Sequence, residues 1–233
     1  MRMILFPILL ISTFVAGCSS QAMTKPSELP LEKGTTWDYS YEAYEQSADP
    51  DQILKATYKL TESVVDVEAI ESYFVAHVKK DYELVNADVD WPGREFTDNQ
   101  VETWYLVNEN QLFESRLPVN TNKIQTDYLL LEYDFPLALN KSWCWIQGNR
   151  KNPDSKKIAN CESVGRREVT NTGVYETPAG TFEDCYELID YSNGGDIIQW
   201  FCKGVGIVFM KFDHAGTRFG FEQTLLSYSV GVP

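Results

Sequence analysis

The sequence is short of the groups on which most soluble catalysis is built. It holds two histidines in 233 residues, His77 and His214. No G-x-S-x-G elbow presents a serine for attack. Positive charge is scarce as well, with 20 Lys and Arg against 34 Asp and Glu and a formal net charge of −14. A body this acidic repels nucleic acid and anionic head groups. Nucleic acid is therefore excluded as a partner, and neutral, cationic or apolar partners remain. No apolar run reaches the about 20 residues that a membrane-spanning helix needs. Helical spacing with caps is not sustained anywhere.

These absences read as a protein with no catalytic residues, no cofactor and no metal. The nearest approach to a metal motif is "NADVDWPGRE", with Asn86, Asp88 and Asp90 at alternate positions. Trp91 stands where a calcium loop needs Gly, and no Glu occupies the twelfth position, so an exposed acidic loop is expected. Carboxylates are too numerous for a glycosidase-like pair to stand out. Alternation puts His77 on a half-exposed strand face with Tyr73, Val75, Lys79 and Asp81.

What is present begins with Arg2, an apolar run from Ile4 to Val15, and the small residues Ala16 and Gly17. That is the layout of an export signal. Val15-Ala16-Gly17-Cys18 resembles the lipobox of bacterial lipoproteins, with Val15 in the place of the usual Leu. The resemblance implies that signal residues 1–17 are removed and that Cys18 carries a diacylglyceryl group, with its new amino group open to acylation. Two or more acyl chains hold a protein on a membrane stably, where one does not. Ser19, in place of a retaining Asp, points to an outer-membrane destination. The membrane contact is then made by acyl chains on Cys18. Residues 18–29 read as a lipidated cysteine and flexible tether, extended by at most about 3.5 Å per residue. Residues 30–233 read as one domain.

Setting Cys18 apart leaves Cys144, Cys161, Cys185 and Cys202, an even number suited to an oxidising compartment. Three connectivities exist; sequence order favours Cys144 with Cys161 and Cys185 with Cys202, bracing hairpins or neighbouring strands. A loop of this length contributes about 3 kcal/mol on the chain-entropy view. No C-x-x-C spacing supports zinc or a thioredoxin-type site.

Aromatic residues make up 13% of the chain and hydrophobic residues 43%, enough for a sizeable core. The patterning has period two. "TWDYSYEAY" sets Trp37, Tyr39 and Tyr41 on one face. "ILKATYKLTESVVDV" and "ESYFVAHVKKDYELV", separated by "EAIE", resemble a long hairpin. "VETWYLV" and "LFESR" flank the turn composition "NENQ". About a dozen such runs, joined by short connections, predict an all-β, mainly antiparallel fold: a curved sheet or open half-barrel with two disulfide-braced hairpins. "LPLEKGTTWDYSY" and "FPLALNKSWCWIQ" share a device that leads a loop into a strand opening on Trp. Thr177 to Gly180 fits a type I turn.

The series P-L-x-x-G-x-x-W (Pro30, Leu31, Gly34, Trp37), F-P-L…S-W (135–143), P-A-G-T-F (178–182) and G-V-G-I-V (204–208) resembles a broad group of uncharacterised secreted and lipid-anchored bacterial β-proteins. The resemblance implies an architecture similar to the half-barrels that ferry lipoproteins and lipids in the envelope. It implies no common activity. Trp37, Trp104, Trp143, Trp145 and Trp200 then have two roles open to them, as core or as the lining of a ligand cleft. Two functions follow: an envelope module that binds a ligand or partner protein at its surface, and a carrier that encloses a hydrophobic ligand.

Overall fold

The computed structural model describes residues 28–92, 100–115, 117–119, 124, 129–145, 165–192 and 194–232. Among them there are twelve strands and no helix. They are β1 (Thr36–Gln46), β2 (Ile53–Ile70), β3 (Tyr73–Ala87), β4 (Gln100–Asn108), β5 (Gln111–Ser115), β6 (Leu130–Asp134), β7 (Ser142–Cys144), β8 (Arg166–Thr177), β9 (Gly180–Tyr191), β10 (Ile197–Cys202), β11 (Gly206–Asp213) and β12 (Phe219–Ser229). All belong to one sheet in the order β6-β5-β4-β3-β2-β1-β12-β11-β10-β9-β8-β7. Every pairing is antiparallel, as short connections require.

The sheet curls until its two edge strands face each other. Leu131 N of β6 donates to Trp145 O, just beyond β7, at 2.9 Å. The result is a nearly closed barrel, curved further than an open half-barrel.

Alternation explains the curl. In β1, Trp37, Tyr39, Tyr41 and Ala43 are buried; in β2, so are Leu54, Ala56, Tyr58 and Leu60. The residues between them face outward and pair across strands, Lys55 with Glu42 at 2.8 Å and Lys59 with Asp38 at 3.4 Å. A mainly apolar interior behind a charged exterior differs from a membrane-spanning barrel, whose outer band is apolar.

Two boundaries differ from the sequence pattern. The "EAI" of "EAIE" belongs to β2, and the turn is only Glu71-Ser72, with Glu71 at φ 54°. "RREV" and "GVYET" join into the single strand β8, which absorbs two register shifts against β9.

Register sorts the connections into two ends. Thr36, Ser229, Cys202 and the β2–β3 and β4–β5 turns lie at one end; Gln46, Ile53, Ile197 and the β11–β12 loop lie at the other. The N-terminal segment enters at the first end, where Gly204 N donates to Glu28 O at 2.7 Å and Leu31 is fully buried.

Candidate functional site

The inner face converges on a cavity of about 30 Å³, bordered by Leu29, Trp37, Tyr39, Tyr105, Tyr133 and Phe201. That is roughly the volume one water occupies. Trp37 Nε1 donates to Val205 O at 2.6 Å and Tyr39 O–H to Ile207 O at 3.0 Å, so both rings are held by backbone carbonyls of the facing wall.

Two charged clusters border this core. Glu62 and Lys80 are register partners on β2 and β3, with Lys80 Nζ 3.1 Å from the Glu62 carboxylate. Burial pulls the Lys80 pKa down, but Glu62 and Glu114 outweigh it and hold the ammonium well above its ordinary value. Burial likewise raises the Tyr39, Tyr105 and Tyr133 phenols, so all three stay neutral at physiological pH.

The second cluster is centred on Arg167 of β8. Its guanidinium donates through Nε and an Nη to both oxygens of Asp190, and through the other Nη to the Glu132 carboxylate at 2.9 Å and to Glu132 O. It also lies 5.5 Å from the Tyr133 ring centroid. Burial opposes the charge on Arg167, yet Glu132 and Asp190 raise its pKa well above the usual value. For Asp190, burial outweighs the pull of Arg167 and moves its pKa upward. Tyr133 O–H donates to Gln199 Oε1 at 3.3 Å, while the buried Gln199 Nε2 has no protein partner.

This second cluster closes the seam. Three successive elements reach the carbonyls of β6: Trp143 Nε1 at Leu131 O, 3.3 Å away; Arg167 at Glu132 O; and Lys141 Nζ at Asp134 O. Side-chain donors thus join a backbone bond in tying β6 across the seam. The sequence pattern did not bring these residues together. Alternation sets Glu62 on the face of buried Leu60, Lys80 on that of Val78 and Arg167 on that of Val169, so their own strands turn them inward; only the closure of the sheet brings Arg167 to Glu132 of β6.

The five tryptophans do not share one cleft. Trp37 is buried beside the small cavity, and Trp143 is buried at the seam. Trp104 stacks on His77, with ring centroids 4.7 Å apart. Trp200 packs on Tyr175 at 4.8 Å, and Trp145 lies against Gly165.

Cys185 and Cys202, register partners on β9 and β10, form a disulfide. Cys144 is buried and disulfide-bonded; its expected partner Cys161 lies outside the described residues, as do Cys18 and the signal segment. Among the described residues, no group of three His, Cys, Asp or Glu could hold a metal ion. In the acidic loop, the Asp88 carboxylate accepts from Lys55 N at 2.7 Å and extends the β2 edge. His77 Nε2 lies 3.6 Å from the Glu102 carboxylate, with no nucleophile in the contact.

No protein-family model matches the chain, and no curated protein matches it. Two solved structures are similar to it. One is described as an exported protein with a YmcC-like fold from Bacteroides fragilis NCTC 9343, at 15% identity and TM-score 0.47, covering 87% of this chain and 98% of the other. The second is described as a lipoprotein from Parabacteroides distasonis ATCC 8503, at 14% identity and TM-score 0.46, covering 88% of this chain and 100% of the other. Likeness at this level assigns no ligand, partner or location.

Proposed function

We propose that the chain is a lipid-anchored protein of the cell envelope, held on the outer membrane through acyl chains on Cys18, and that it works as a non-catalytic binding or assembly module from its outer surface. The small size of the cavity beside Trp37 carries this reading. The inner cavity bordered by Trp37, Tyr39 and Phe201 measures about 30 Å³, against the 300 to 1,000 Å³ typical of small-ligand pockets. An acyl chain does not fit in this cavity, which favours the surface-binding module over the alternative of a hydrophobic-ligand carrier. The V-A-G-C sequence supports the anchor, and the charged exterior suits a domain standing off the bilayer.

Native mass spectrometry of the protein purified without its anchor is expected to give the bare chain mass, and a retained lipid-like mass would overturn the surface-binding reading. Membrane fractionation of a Cys18→Ala variant is expected to release the domain, and a variant that stays with membranes would overturn the anchor.

A further inference from the structure

The end of the barrel opposite Glu28 carries a cleft of about 380 Å³ lined by Tyr44, Ile53, Asp213, His214, Thr217, Arg218 and Phe219. We propose that it is a subsite for a neutral sugar ring of an envelope glycan. The inference rests on the reading of this domain as a surface-binding module and names the class of ligand.

The polar groups of the cleft are held in place before any ligand arrives. Tyr44 O–H donates to Phe212 O at 3.2 Å and to the Asp213 carboxylate. Lys211 Nζ sits 3.0 Å from the other oxygen of Asp213. His214 Nδ1 and Thr217 Oγ1 are 2.7 Å apart, which fixes the imidazole plane. The loop that bears them is seated on its neighbour, with Ala215 N donating to Gly194 O at 3.0 Å. Gly195, at φ 131°, leaves no room for a side chain there, because a Cβ would come within 2.2 Å of Asp213 O. Preorganisation of this kind lowers the ordering cost of binding.

The chemistry of these groups selects the ligand. His214 and Phe219 stack at 4.3 Å and 23°, giving an aromatic wall for the C–H face of a ring. Beside it, Arg218 is exposed and has no carboxylate partner; among the described Lys and Arg, only Lys203 shares that condition. Arg218 is free to donate, and the Asp213 carboxylate, which already accepts from Tyr44 and faces Lys211, keeps further lone pairs for a ligand hydroxyl. A polyanion is disfavoured by the net charge of −14 and by Glu45, Asp49 and Asp51 near this end. A cation is disfavoured because Lys211 already meets Asp213 and Arg218 adds a second positive charge. A purely apolar ligand leaves the guanidinium and imidazole unmatched. A neutral ring with hydroxyls satisfies every group.

The test is an NMR titration of the full chain in detergent, following the His214 and Arg218 side-chain signals. Three probes are used: the neutral N-acetylhexosamine oligomer chitotetraose, an anionic trigalacturonate and a cationic tetralysine peptide. Chitotetraose is expected to shift both residues, with Kd rising at least tenfold in Arg218→Met and in His214→Ala. The Arg218 side chain makes no hydrogen bond or ion pair with the described residues, so Arg218→Met is expected to keep the native amide spectrum and remain interpretable. Shifts produced only by the charged probes, or chitotetraose affinity unchanged in Arg218→Met, would overturn the proposal, the tetralysine result in favour of a peptide. A chain that ignores chitotetraose yet still cross-links to an envelope protein keeps the surface-binding reading. Retained lipid mass removes that reading whatever the titration gives.

Discussion

Asp38, on the outer face of β1, illustrates how neighbouring strands set the chemistry of one side chain. Burial favours its neutral form, but hydrogen bonds from Thr61 and Ser227, together with Lys59, outweigh that effect and lower its pKa. Folding therefore favours the ionised form. The resulting stability is present above the unfolded-state pKa, near about 3.9, and is lost as pH falls through the lower folded value. Thr61→Val is expected to raise the Asp38 pKa and weaken the protein above about pH 4. Carbon-detected NMR titration of Asp38 with melting curves at several pH values checks this; an unmoved pKa would refute it. Such a residue is half legible in the sequence. Alternation assigns Asp38 outward, but its partners Thr61 and Ser227 come from strands on either side.

At the scale of elements, β8 and β9 extend past the last β9–β10 pair, Cys185 with Cys202, into a hairpin tip. The tip packs on neighbouring strands through Tyr175 against Phe209, at 5.8 Å, and Phe182 against Tyr228, at 6.0 Å. The disulfide joins strands that are already paired, so it braces the base of this hairpin. Replacing both Cys185 and Cys202 by Ala is expected to cost about 3 kcal/mol, from the entropy regained by an unfolded loop of this size. Urea unfolding measures the loss, and hydrogen exchange is expected to rise first at Tyr175 and Phe182. The Cys185 and Cys202 pairing and the turn at Pro178 were legible in sequence order and in "TPAG", because both depend on local chain. The packing of the tip was not, since Tyr175, Trp200, Phe209 and Tyr228 have no common spacing.

For the whole molecule, closure of the barrel is expected to depend on Arg167. Its guanidinium joins Asp190 of β9 to Glu132 of β6, across a seam where Leu131 N to Trp145 O is a backbone bond. Breaking a buried pair from one side leaves charges uncompensated and costs about 3 to 5 kcal/mol. Arg167→Met is expected to lose that much in urea unfolding. Amides of β6 are expected to exchange faster while those of β1, β2 and β12 stay protected. Wild-type stability in that variant would mean that core packing alone closes the barrel.

The local pattern of residues determined the strands, their antiparallel pairing, the inward aromatics of β1 and the even set of four cysteines. Period-two alternation, short turns and residue counting act over a few residues and are visible in a linear chain. Tertiary structure alone decided that the sheet curls until its edges meet, that Arg167 finds Glu132 across the seam, and that the cavity beside Trp37 is small. Each of those outcomes depends on contacts between residues far apart in the chain, and no local propensity encodes which distant partner will neutralise a charge.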